Sequence, residues 1–208
     1  MKKYLTELIG TFFLVLLIGC TVVGGAPGVI PPLAIGAGLM AIIYAGGHVS
    51  GAHYNPAITV AFYLRGRLEA KEVPGYIGAQ LVGAVLAALA VGFLKPGAEV
   101  SAMELAVAPA FVAELLCTFL LAYVILNVAT AKATAGNAYF GLAIGMTVMS
   151  CAFAVGSISG CALNPAVAIS LAMMGLARWS NLWVYLAADF VGAAVAALAF
   201  RAMHPDDR

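Results

Sequence analysis

The chain has 208 residues, with 10 Lys+Arg and 9 Asp+Glu giving a formal net charge of +1 at pH 7. Charged residues make up 9% and hydrophobic residues 64%, with a mean hydropathy of +1.05, against about 25% and 45–50% in ordinary soluble domains. So few charges cannot cover the surface of a water-soluble globule, which excludes a nucleic-acid binder, a disordered chain and a typical cytosolic enzyme and leaves an integral membrane protein.

A bilayer core of about 30 Å needs about 20 mostly apolar residues per helix. In chain order, spans are predicted over residues 4–24, 32–49, 74–94, 106–131, 138–156 and 182–203. Lys2-Lys3 followed by an apolar run ending at Cys20 also imitates a lipoprotein signal, but the run contains Glu7 and continues past Cys20, so it is kept as a span. Two shorter segments, 55–64 and 164–174, each open on Asn-Pro-Ala. At 1.5 Å per residue they reach only about 15 Å, half a bilayer, and read as half-helices. The four cysteines (Cys20, Cys117, Cys151, Cys161) lie in apolar stretches without CxxC or zinc-like spacing, so no metal and no cofactor is expected.

A shift of 109 residues places Ser50-Gly51-Ala52-His53-Tyr54-Asn55-Pro56-Ala57 on Ser159-Gly160-Cys161-Ala162-Leu163-Asn164-Pro165-Ala166. The same shift brings Tyr76, Gln80 and Gly83 onto Tyr185, Asp189 and Gly192, and with a small slip Glu7 corresponds to Glu114. The chain is read as one channel domain built from two copies, 1–99 and 100–208, each with three spans and a half-helix. Three is odd, so the second copy runs through the membrane in the opposite sense, an inverted repeat whose half-helices meet near the midplane. With both termini cytoplasmic, Lys2, Lys3, Arg65, Arg67, Lys71, Lys132, Arg201 and Arg208 lie inside and only Lys95 and Arg178 outside, which satisfies the positive-inside rule. Small residues recur every four positions along three spans: Gly75, Ala79, Gly83 and Ala87; Ala188, Gly192 and Ala196; Gly141 and Gly145. That spacing predicts close helix contacts.

A single Asn-Pro-Ala is an ordinary helix start, with Asn as cap and Pro at the first helical position. Two copies at equivalent places of an inverted repeat, each after an irregular Ser-Gly segment at membrane depth, are more specific. Irregular backbone survives there only when buried in protein or lining a water-filled cavity. Side-chain amides of Asn55 and Asn164 would donate to a passing solute, and carbonyls of 51–54 and 160–163 would accept along one wall. Both half-helices aim their positive N-terminal ends at the centre, which repels cations.

These residues resemble the aquaporin or major intrinsic protein family: the Glu near the start of each half, Gly-His-Val-Ser-Gly-Ala-His-Tyr-Asn-Pro-Ala at 47–57, and Ser-Gly-Cys-Ala-Leu-Asn-Pro-Ala at 159–166. The resemblance implies an all-α membrane fold of six helices and two re-entrant half-helices around an hourglass pore, assembled as a homotetramer in the cell membrane. It makes Gly51, Ala52, His53, Tyr54, Asn55, Gly160, Ala162, Leu163 and Asn164 pore contacts. It makes Glu7, Glu114, Pro56, Pro165 and His48 structural supports of the pore loops, with proton relay the alternative role for the two buried glutamates. Partners would be water, small solutes and the lipid bilayer, with no nucleic acid and no catalytic residue. For Gln80 and Asp189 structural hydrogen bonds are expected.

One position departs from the family pattern. Most members carry Arg after the second Asn-Pro-Ala; here it is Val167. Counting back from the motifs gives a filter of Ile35, Ala152, Cys161 and Val167, without a cation or a His. A relaxed filter is expected, passing water with polyols, urea or neutral metalloid species, as in similar bacterial members linked to arsenic resistance in which Val also replaces this Arg. A water-selective channel and an ion-coupled transporter are the alternative readings.

Overall fold

The computed structural model describes residues 1–25 and 28–207. Eight α-helices carry the chain: α1 (Lys2–Val22), α2 (Ile30–Ser50), α3 (Pro56–Arg65), α4 (Val73–Leu94), α5 (Val107–Ala129), α6 (Phe140–Ser159), α7 (Pro165–Met173) and α8 (Leu182–Met203). Short 3-10 turns precede α4, α6 and α8, and no strand occurs among the described residues. All except α3 and α7 are long and apolar enough to cross a membrane. Their ends lie within three residues of the six predicted spans.

Each half-helix starts as its sequence dictates. The Asn55 Oδ1 accepts from the Ala57 and Ile58 N–H groups at 2.8 and 3.4 Å, and the Asn164 Oδ1 accepts from the Ala166 N–H at 3.0 Å. Pro56 and Pro165 follow at the first helical position, where a missing N–H costs nothing. Gly66 closes α3 in the left-handed region (φ 82°), and Gly175 follows α7 with φ 76°.

Helix pairs α1–α4 and α5–α8 pack through equivalent glycines. A Cβ at Gly83 would stand 2.4 Å from the Leu8 carbonyl oxygen, and one at Gly192 would stand 2.5 Å from the Leu115 carbonyl oxygen. The α2–α6 crossing is built alike: a Cβ at Gly145 would meet the Gly36 carbonyl oxygen at 2.5 Å. Ala188 and Ala196 are fully buried on the same α8 face as Gly192. Backbones approach this closely only where side chains are absent, which is how helices associate when lipid leaves little hydrophobic force between them. Large apolar side chains such as Leu89, Phe93, Leu116 and Leu198 stand outward and exposed. A soluble protein does not present such a surface, and the chain is an integral membrane protein.

Charged groups gather at the helix ends. Arg65 and Arg67 both reach Asp207, at 2.7 and 3.2 Å, and the Lys132 N–H donates to the other Asp207 oxygen at 2.7 Å. Lys3 pairs with Glu72 and Arg178 pairs with Glu104. Arg65 is almost fully buried, its guanidinium 4.3 Å from the Phe200 ring centroid.

Candidate functional site: the cavity between the two half-helices

The half-helices enter from opposite sides and their N-termini are tied together. The Asn55 Nδ2 donates to the Leu163 carbonyl at 2.7 Å, and the Asn164 Nδ2 donates to the Tyr54 carbonyl at 2.9 Å. Each amide therefore spends one N–H on the opposite loop and keeps the other for the cavity. The positive ends of two helix dipoles meet there.

Behind each loop sits a buried glutamate. The Glu7 Oε1 accepts from the Ser50 hydroxyl at 2.6 Å and the His53 N–H at 3.0 Å; its Oε2 accepts from the Tyr54 N–H at 2.7 Å and the Gln80 side chain at 2.8 Å. The Glu114 Oε1 accepts from the Ser159 hydroxyl at 2.5 Å and the Ala162 N–H at 3.0 Å; its Oε2 accepts from the Leu163 N–H at 2.8 Å. Ser50 and Ser159 also accept from the N–H groups of Ala52 and Cys161, at 3.0 and 3.1 Å.

This bonding decides where the carbonyls point. A peptide is planar and trans, so its C=O is opposed to its N–H. With the N–H groups of 52, 53 and 54 drawn back toward Glu7 and Ser50, the carbonyls of Gly51, Ala52 and His53 face away from the brace. The carbonyls of Gly160, Cys161 and Ala162 do the same in the second loop. Four non-glycine residues, Ala52, Tyr54, Cys161 and Leu163, are held at φ of 49–54°. Such backbone costs on the order of 1–3 kcal/mol per residue, and buried charge-assisted bonds of about 1.5–3 kcal/mol each hold it in place.

A cavity of about 540 Å³ runs past both loops. Its wall includes Asn55 and Asn164, and Ile35, Ala152, Cys161 and Val167 all line it. Ala52, His53, Tyr54, Gly160, Ala162 and Leu163 also border it, whereas Gly51 does not. No Lys, Arg, Asp or Glu stands among its described lining residues.

Several expectations need correcting. The Tyr54 and Leu163 carbonyls each accept from the opposite asparagine, which takes up one of the two lone pairs of each. The Tyr54 ring turns into the core, filling the space beside Gly10 and Gly46, with its hydroxyl donating to the Ile42 carbonyl at 3.1 Å. His48 is exposed on the last turn of α2 and lies apart from the brace. His53 is packed between Phe62 and Tyr76, ring centroids 4.0 and 4.8 Å away, and its Nδ1 meets the Thr59 hydroxyl at 3.2 Å.

The sequence reading missed Tyr76 and Tyr185 as supports. Their hydroxyls donate to the Ser50 and Ser159 carbonyls, each at 2.7 Å, closing the last turn of the helix before each loop. Their match across the 109-residue shift was the available signal.

Residues 1–200 match the profile of the family described as Major intrinsic protein. The chain belongs to the major intrinsic protein family. It is a membrane channel and not an enzyme. Among similar proteins, "Glycerol uptake facilitator protein-like 6" of Lactiplantibacillus plantarum is 39% identical, with 100% of each chain covered. "Probable aquaporin NIP4-2" of Arabidopsis thaliana is also 39% identical, over 92% of this chain and 70% of the relative. The X-ray structure of the aquaglyceroporin from Plasmodium falciparum superposes with a TM-score of 0.81 at 26% identity, covering 96% of this chain and 94% of that one. The aquaporin-like fold expected from the two Asn-Pro-Ala motifs is the fold of this channel.

Proposed function

We propose that the cavity is a passive pore for water and small uncharged solutes of the glycerol and urea kind, with neutral metalloid species in the same size class. The supporting observation is the filter wall: Ile35, Ala152, Cys161 and Val167 border one cavity with Asn55 and Asn164, with no cationic side chain in the described lining. A solute entering this constriction meets apolar side chains on one part of the wall and carbonyls of 52–53 and 160–162 on another. Polyols present both kinds of surface, and water file members need only the acceptors and the free asparagine N–H groups. The similarity to a protein named as a glycerol uptake facilitator fits the same solute class. With Val at 167, exclusion of cations falls to the two half-helix dipoles and the asparagine donors.

An ion-coupled transporter would need a titratable carboxylate on the translocation path. Glu7 and Glu114 stand behind the loops, each engaged in bonds that fix backbone, so transport is driven by the solute gradient alone.

The remaining assignments follow from this reading. Residues 1–99 and 100–208 act as an inverted repeat, for which the paired braces, glycines and tyrosines are the support. Both termini are cytoplasmic in the cell membrane, for which the excess of Lys and Arg on that side of the topology is the support, with Arg65, Arg67 and the Lys132 N–H gathered on Asp207 near the C-terminus. Four copies assemble as a homotetramer with one pore each.

Stopped-flow measurements on proteoliposomes test the filter. Val167→Arg is expected to reduce glycerol and urea permeability by about tenfold and water permeability by less, because a guanidinium both narrows the constriction and adds a donor. Undiminished glycerol permeability in that variant would remove the filter assignment.

A further inference from the structure

The first pore loop is held by one buried carboxylate and the second by two buried carboxyl groups. Glu7 receives four donors, the last of them the Gln80 Nε2 at 2.8 Å from α4. Glu114 receives the counterparts of the first three, but the residue matching Gln80 is Asp189 in α8. Asp189 is fully buried, the Thr118 hydroxyl donates to its Oδ1 at 3.0 Å, the Asn164 backbone N–H is directed at the same carboxyl, and Oδ2 has no partner within hydrogen-bond distance. The group it meets is the Glu114 carboxyl.

Two ionised carboxylates have only acceptors to offer each other, and in contact away from water they repel strongly. No cation near them compensates. α5 contributes Glu114 and the Cys117 thiol, α6 contributes the Cys151 thiol beside Cys117, and the loop before α7 contributes the Cys161 thiol. The nearest ionisable neighbour on α8 itself is Tyr185, whose hydroxyl already serves Ser159. α7 carries no titratable side chain, the Arg65 of α3 is engaged with Asp207, and Arg178, before the turn that leads into α8, is engaged with Glu104.

We propose that Glu114 and Asp189 share one proton, which Asp189 donates to the Glu114 carboxylate as Gln80 donates its amide hydrogen to Glu7, and that this proton keeps residues 160–163 seated. The second half of the proposal rests on reading 160–163 as a pore wall. Asp189 is then a positioning residue acting through Glu114. Its sign is fixed: the proton is present at neutral and lower pH, and its loss at alkaline pH leaves two anions behind the loop. The first loop, braced by an amide, carries no such dependence.

Infrared spectroscopy on reconstituted protein labelled with ¹³C at the aspartate carboxyl carbons tests this directly. The chain has only three aspartates, and Asp206 and Asp207 lie in the tail beyond α8. One protonated-carboxyl C=O band that shifts with the label is expected at neutral pH and is absent from Asp189→Asn. As pH is raised, glycerol permeability of the same vesicles is expected to fall by at least about threefold in step with that band. Whatever permeability Asp189→Asn retains is expected not to respond to pH. A labelled wild-type spectrum without a protonated aspartate overturns Asp189 as the donor to Glu114, and with it the proposal, even where Asp189→Asn does not fold. A band that titrates while permeability stays constant overturns its role in seating the loop. An intact band with no permeability at any pH overturns the channel reading and leaves the carboxyl pair standing.

Discussion

The two pore loops share a backbone and differ in what stands behind it. Both use a serine, two consecutive N–H groups and a tyrosine hydroxyl in equivalent places. In the first loop the fourth partner of the glutamate is Gln80, which also donates to the Thr59 hydroxyl at 2.9 Å, and Thr59 in turn donates to the Asn55 carbonyl. In the second, Thr59 corresponds to Ala168 and Gln80 to Asp189, so the chain of donors stops at a carboxyl pair. The same loop geometry is thus reached by a neutral amide network on one side and by two acids on the other. A brace needs donors aimed at the carboxylate more than it needs any particular residue to supply them.

Neutralising each glutamate separates the two braces most strongly. Glu7→Gln places an amide N–H against donors at Tyr54 and Gln80, leaving buried groups unmatched at about 1–3 kcal/mol each. Glu114→Gln gives up its bond from the Leu163 N–H but can turn its new N–H toward Asp189 Oδ2, which has no partner in the wild type, so one donor is left unmatched where Glu7→Gln leaves two. Thermal unfolding in detergent is expected to show the larger loss for Glu7→Gln, and equal losses would erase the distinction between the loops.

Glycine contacts test what the halves have in common. Gly83→Ala and Gly192→Ala each drive a methyl into a backbone carbonyl of the neighbouring helix and are expected to cost about 1–3 kcal/mol alike. Gly78→Ala and Gly92→Ala, where a Cβ meets nothing within 4 Å, are expected to be neutral or stabilising by up to about 1 kcal/mol. A large difference between Gly83→Ala and Gly192→Ala would break the equivalence of the α1–α4 and α5–α8 packings.

The smallest effect is expected at the tail. The Lys132 N–H, with Arg65 beside it, holds the Asp207 carboxyl below the usual carboxylate range. A lowered pKa means that the anchor is complete above the ordinary carboxylate range and is lost as pH falls through the Asp207 value. Hydrogen exchange of residues 203–207 is expected to rise on acidification in the wild type and to be high and flat in Asp207→Asn. It bears on the asymmetry because only the second half ends in such an anchor.

Much of this channel is written in its sequence. Scarcity of charge gives membrane residence, six long apolar runs give the spans, and two Asn-Pro-Ala segments too short to cross give the re-entrant half-helices. Glu7 and Glu114 are legible as a near-symmetric buried pair, and it is the resemblance to the family that implies their role as braces of the pore loops. The other inferences rest on local periodicity, helix-capping chemistry and the cost of burying charge, all properties of short stretches of chain.

Tertiary structure decided what depends on which groups meet. Asn55 and Asn164 each give one N–H to the opposite loop, so part of their donor capacity holds the pore together. The Tyr54 ring fills the space left by Gly10 and Gly46, 44 and 8 residues away in the chain, which no local pattern announces. His48 and His53 look equally placed in sequence, yet one is exposed and the other is buried against the Phe62 and Tyr76 rings. Asp189 matches Gln80 by position, but only its contact with Glu114 across two packed helices turns that match into a question of where one proton resides.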